Sequence, residues 1–234
     1  MNAARISAML VKEYHDAKSN VQVLSVVIVP IFLAILYSRM DGEQSFAASF
    51  VFIMTVTFVT MYVQALLLAE EKEKNTLQVL LLSPASSADI MIGKSIISVI
   101  LTVIVLVASM LIIDVNVESP IMLSVTLVLG VILFVALGTL VGLLSENLVQ
   151  TTVYLLPLSF VFGFGPMIQM YFSEGIVADI LGYTPGSFMM EACLAAISGE
   201  AFSSYREDII WLVGWTVASL VVTFITFKKK SLSK

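Results

Sequence analysis

AEEKEKNTLQVLLLSPASSADIMIGK, residues 69–94, is the longest water-facing stretch in an otherwise oily chain, and its reading decides the fold. One apolar run enters it and another leaves it, so the two runs cross a membrane and the stretch between them protrudes on one side. The composition agrees. Of 234 residues, 59% are hydrophobic and 12% charged, with a mean hydropathy of +1.02, whereas roughly a quarter of a soluble domain is charged. The chain reads as an all-α integral membrane protein of one domain, with no inserted soluble module, internal repeat or low-complexity tract. The lone cysteine, Cys193, excludes an intrachain disulfide and a Cys-rich metal site, and the lone histidine, His15, excludes a His cluster. The net charge of −5 hides a strong asymmetry in where the charges lie.

Spans of roughly 20 apolar residues are expected at 21–37, 47–69, 95–113, 121–144, 151–172 and 209–227. Ahead of the first, residues 2–19 carry Ile6, Met9, Leu10, Tyr14 and Ala17 on one helical face and Arg5, Lys12, Glu13, Asp16 and Lys18 on the other, the pattern of an interfacial amphipathic helix. A charged segment before the apolar run, with no small-residue cleavage site after it, argues against a signal peptide. Placing the N-terminus in the cytoplasm puts Arg5, Lys12, Lys18, Lys72, Lys74, Lys94, Lys228, Lys229, Lys230 and Lys234 inside and only Arg39 and Arg206 outside, as the positive-inside rule requires. Both termini are then cytoplasmic. Asp41, Glu43, Asp114 and Glu118 fall in outer loops, and Tyr205, Trp211 and Trp215 gather near the outer end of the last span as an aromatic belt would.

Residues 173–208 are too long for a tight turn and too polar to span, yet apolar in pieces, with Gly182, Pro185, Gly186 and Gly199 as punctuation. Two readings fit: a pair of short helices dipping into the outer leaflet and returning, or a surface loop with one amphipathic helix.

No Asp, Glu, Lys, Arg or His falls within the expected spans. Proton-coupled carriers work through such groups, so this chain is expected not to drive transport by itself, and it offers no catalytic residue. Gly93, Lys94 and Ser95 match the end of a phosphate-binding loop, but Ala88 stands at the first glycine position and no strand precedes it. Gly93 is expected at a helix junction instead, with Lys94 marking the cytoplasmic end of the third span. Gln64 in the second span and Gln169 near the outer end of the fifth are amides that either face a translocation path or tie helices together. Gly138 and Gly142 form a small-xxx-small pair for close packing. Pro30 lies in the first span, while Pro157, Gly163, Gly165 and Pro166 interrupt the fifth, where a kink is expected to be either a gate or a static bend.

Within the opening stretch, Glu70, Glu71, Lys72, Glu73 and Lys74 extend the second span into water as a charged stalk. Thr76, Leu77, Leu80 and Leu81 follow as a short apolar-faced helix that Pro84 ends, and Ser86 with Asp89 has the spacing to open the next helix. An apolar-faced helix held clear of lipid by acids and lysines suits docking into a partner's groove; the other reading rests it on headgroups.

The stretch resembles the loop after the second span in permeases of the type-2 family of ABC (ATP-binding cassette) exporters. Glu71, Lys72, Glu73, Thr76, Leu77, Leu80, Leu81, Ser83, Pro84, Gly93 and Lys94 fit the family pattern, with Asn75 where glycine is usual and Gln78 where an acid is usual. The layout of spans is similar over essentially the whole chain. The resemblance implies that residues 2–19 are a connecting helix, that 70–94 is the coupling loop seated on an ABC ATPase subunit, and that 173–208 is a re-entrant hairpin. It further implies a second permease copy or paralogue, ATP and magnesium held by the partner ATPase with no cofactor on this chain, and no dealings with nucleic acid. The expected cargo is hydrophobic or amphipathic: a peptide, antibiotic or lipid-like molecule. A non-transporting membrane scaffold or sensor that recruits a cytoplasmic partner is the alternative.

Overall fold

The computed structural model of the chain describes residues 20–40, 42–74, 87–172 and 175–232. Those residues form eight helices and no strand: α1 (Val21–Tyr37), α2 (Gln44–Glu73), α3 (Ser87–Ile113), α4 (Pro120–Leu144), α5 (Leu148–Tyr171), α6 (Ile176–Gly182), α7 (Pro185–Ser198) and α8 (Phe202–Leu232). The helices α2, α3, α4, α5 and α8 are each long and apolar enough to cross a membrane. The 17 residues of α1 rise about 26 Å, the lower limit for a span. Asn20 starts α1 by accepting from the backbone N–H groups of Gln22 and Val23, as an N-cap residue does.

The centre of the bundle is α2. Its most apolar window is 94% buried, and α1, α3, α4, α5 and α7 pack around it. A helix apolar on all sides belongs inside its neighbours. In lipid, however, apolarity alone does not hold helices together, because acyl chains are as apolar as leucine; close van der Waals fit and interhelical hydrogen bonds do. Both are present. Gly138 and Gly142 of α4 lie so close to α2 that a Cβ at either would sit 2.5 Å from the Met61 carbonyl oxygen and 3.0 Å from that of Ala65. Between α2, α3 and α4 runs a buried polar ladder: Gln64 donates to Thr139 Oγ1 at 3.0 Å, Ser98 donates to Gln64 Oε1 at 2.8 Å, and Thr60 meets Thr102 at 2.7 Å.

Two helices carry π-helical turns, α2 at Thr55–Met61 and α5 at Phe160–Phe164. The turns face each other, with Phe58 against Phe164 at a centroid distance of 6.2 Å and Gly163 opposite Phe58 and Met54. Met54 and Phe58 fill the surface that a side chain at 163 would otherwise occupy.

The hairpin of α6 and α7 is bent by 67°, and both its ends lie at one end of the bundle. Antiparallel α4 and α5 put Tyr171 at the same end as Pro120, and the end of α7 returns there, where Ser119 and Glu118 donate to the Ala196 and Ile197 carbonyls. Its tip reaches well below that end: Gly186 packs against the Phe162 carbonyl of α5, where no Cβ fits. Backbone broken at such depth must be satisfied by protein. Thr184 and Ser187 hydroxyls both donate to the Leu181 carbonyl, and the Trp215 indole donates to that of Tyr183. Gly199, at φ +72°, closes α7 in the left-handed conformation that glycine adopts most readily.

Three features differ from the expectation. The last helix starts at Phe202, inside the stretch assigned to the hairpin, because Ser204 and its neighbours already bond helically. Helix α3 runs without a break through Gly93, so that residue eases no junction, and Lys94 sits too far along the helix to be a phosphate-loop lysine, which stands at a helix start. The aromatic residues of α8 pack on the hairpin rather than forming a belt alone: Trp211 stacks on Phe188 at 5.7 Å, and Tyr205 is buried beside Ala192 and Ala195.

Candidate functional site

The stalk at residues 70–74 continues α2 beyond the bundle, and its side chains divide their work among the neighbouring helix ends. Glu70 accepts from the Asn20 amide at 3.1 Å, which joins it to the residue capping α1, and pairs with Lys74 one turn on at 2.5 Å. Lys72 turns the other way and donates to the carbonyls of Gly142, Leu143 and Ser145. These are orphan acceptors at the C-terminal end of α4, the negative pole of its dipole, where a cation is favoured. Glu73 accepts at 3.1 Å from the backbone N–H of Leu148, the first residue of α5, the positive pole of that helix. One turn of stalk therefore grips both ends of the 145–147 turn, each with the sign its helix favours.

Further packing draws in the last helix. Leu68 of α2, Leu143 of α4 and Phe227 of α8 form a small apolar cluster beneath the stalk. Glu71 is turned inward and is only 4% exposed. The turn itself is pre-shaped: Asn147 accepts from Gln150 N at 2.9 Å, and Gln150 Oε1 accepts from Glu146 N at 2.7 Å, a reciprocal cap at the start of α5. Residues 145–147 did not stand out in the sequence, although the Asn147-x-x-Gln150 spacing and the polar run Ser145, Glu146, Asn147 between two spans were the available signal.

Of the residues singled out for coupling, Glu70, Glu71, Lys72, Glu73 and Lys74 form this junction. Thr76, Leu77, Leu80, Leu81 and Pro84 lie outside the described residues, as does the amphipathic segment 2–19. Lys94 lies two turns into α3. The residues singled out for a path or gate are dispersed in part. Gln64 is 2% exposed, and both ends of its amide are bonded within the polar ladder. Gly163, Gly165 and Pro166 are buried together, Gly163 against α2 and Gly165 against Leu181 and Thr184 of the hairpin. Pro157 faces outward on α5. Gln169 stands near the end of α5 beside Gly182, between a cleft lined by Asp179, Glu207, Asp208 and Trp211 and a smaller one reaching Met190 and Glu191.

This arrangement can transmit displacement. Through Lys72 and Glu73, the end of α2 is bonded to the facing ends of α4 and α5. Comparison with known protein families matches residues 2–225 to the model described as "ABC-2 family transporter protein". No curated protein matches the chain.

Proposed function

Because the chain belongs to the ABC-2 family of transporter proteins, and is thus a multi-pass membrane permease, we propose that it is the substrate-path subunit of an ATP-driven exporter. Two such chains, or one with a paralogue, enclose the path, and separate ABC ATPase subunits bind beneath them through the 70–94 loop, holding ATP and magnesium themselves. Both termini and the stalk face the cytoplasm. The cargo is hydrophobic or amphipathic, in keeping with spans that lack ionisable residues.

The observation that carries this reading is the grip of Lys72 and Glu73 on the 145–147 turn. A loop that merely joined two spans has no use for a stalk bonded to the ends of α1, α4 and α5. A loop that receives force does, because the bonds spread a local push over the bundle. ATP binding closes the ATPase pair, the loop moves with it, and the stalk carries that movement to α5, whose π turn and hairpin contacts respond.

The test is Leu80→Asp together with Leu81→Asp in the assembled complex. Loss of cargo-stimulated ATP hydrolysis and of transport, with the complex still assembling or falling apart at this contact, is the expected result; unchanged coupling overturns the docking assignment. Lys94→Gln leaves ATP binding intact. Complete loss of ATP binding in that variant would move the nucleotide site onto this chain.

A further inference from the structure

We infer that the structure holds a phospholipid site on the stalk-side half of the bundle, in the cleft between α3 and α8. Both helices pack on α4 but share no extended contact with each other, so α4 becomes the floor of a groove that opens sideways toward the bilayer. Its volume is about 500 Å3. The walls are Ile96, Val99 and Ile100 on one side and Leu220 and Phe224 on the other, over a floor that includes Ala136. Ile100, Ile132, Leu220 and Phe224 are 40–66% exposed, which in water would be costly and in a bilayer is ordinary. The polar groups that reach the floor are already engaged: Thr223 donates to the Ala136 carbonyl at 2.9 Å, and Thr139 bonds Gln64 and the Val135 carbonyl.

The dimensions select the occupant. The floor runs along α4 from Val131 to Thr139, about 12 Å at the helical rise, against a hydrocarbon core of about 30 Å. A groove one leaflet deep accepts an acyl chain; a partner helix crossing the membrane would need one running the full span. Charge selects the headgroup. Lys228 follows Phe224 by four residues, on the same face one turn toward the stalk end, and it and Lys229 are exposed there. Lysines on helix ends reach the headgroup layer, so an acyl chain in the groove brings its phosphate among positive charges. The ligand is an anionic phospholipid of the surrounding bilayer, seated against the helix that Lys72 grips.

The full-length protein extracted from vesicles of equal phosphatidylglycerol and phosphatidylcholine is analysed by native mass spectrometry. One lipid is retained, phosphatidylglycerol over phosphatidylcholine by roughly thirtyfold, the scale of two lysines near a membrane surface. Ile132→Trp, which fills the groove from its rim, lowers retention of both lipids several-fold, whereas Val128→Trp, one turn away and 56% exposed, does not. Lys228→Gln with Lys229→Gln keeps a bound lipid and loses the preference. Retention in Ile132→Trp at the level of the unaltered protein, or a preference that survives loss of both lysines, overturns the proposal. So does disulfide cross-linking between two copies carrying Ile100→Cys in a Cys193→Ala background, which would put a second chain in the groove.

Discussion

Lys72 is the side chain on which most of the stalk's bonding converges. It closes three carbonyls at the end of α4, so Lys72→Met removes both a cap and a favourable charge at a helix pole. The expected destabilisation is about 1–2 kcal/mol, read as a lower unfolding temperature in detergent. In the assembled transporter the same variant hydrolyses ATP with less transport per ATP, whereas Lys72→Arg, which keeps the charge, recovers part of the coupling. Equal transport per ATP in Lys72→Met and the unaltered protein would separate the cap from coupling. Gln64 acts in the membrane interior. Gln64→Leu leaves Ser98 and Thr139 without their shared partner, and its cost is expected at roughly 0.6–1.7 kcal/mol, the range for hydrogen bonds between helices in lipid. A far larger loss would mean that the amide has a further partner in the transport cycle.

At the scale of elements, the hairpin depends on one close approach. A Cβ at Gly186 would lie 1.8 Å from the Phe162 carbonyl oxygen, a contact that neither backbone can absorb without moving. Gly186→Ala therefore lifts the tip of α7 from the π turn of α5, at about 1–3 kcal/mol by the usual cost of overpacking. Cys193, the chain's single cysteine, lies fully buried on α7 and reports that movement directly. Maleimide labels it slowly in the unaltered protein and faster in Gly186→Ala; an unchanged rate would show that the hairpin stays seated. The matching π turns of α2 and α5 follow similar logic. Each inserts an extra residue into its helix, and Gly163 leaves room for Met54 and Phe58 where the two turns meet. Such widened turns recur at functional sites in helices.

For the whole molecule, the bundle has two unlike ends. The stalk end holds the 145–147 turn and Lys228 and Lys229 near the end of α8, while the other holds the hairpin and the loop at 114–119. A membrane separates them. In a Cys193→Ala background, Gly42→Cys is labelled by an impermeant maleimide added outside intact cells, and Glu146→Cys only after the membrane is opened. The reverse pattern would invert the orientation taken from the lysines. In the centre, α2 packs against α1, α3, α4, α5 and α7.

Much of this protein was legible in its sequence. Apolar runs of span length, the charged stalk and the one-sided lysines determined a helical membrane protein with its working loop on one side, because a bilayer admits few alternatives for an uncharged run of that length. The glycines and proline around Gly186 marked where the chain bends, by 67°, and those around Gly163 marked the π turn of α5. Only tertiary structure decided what those features touch. That Lys72 and Glu73 hold the ends of α4 and α5 rather than water depends on residues some 70 positions apart meeting, and helical periodicity carries no information at that range. The hairpin likewise took its place through contacts between distant residues, Trp215 donating to the Tyr183 carbonyl and Gly186 packing on Phe162. The opening stretch keeps its place as the expected point of force, and the structure adds the side chains through which that force would spread.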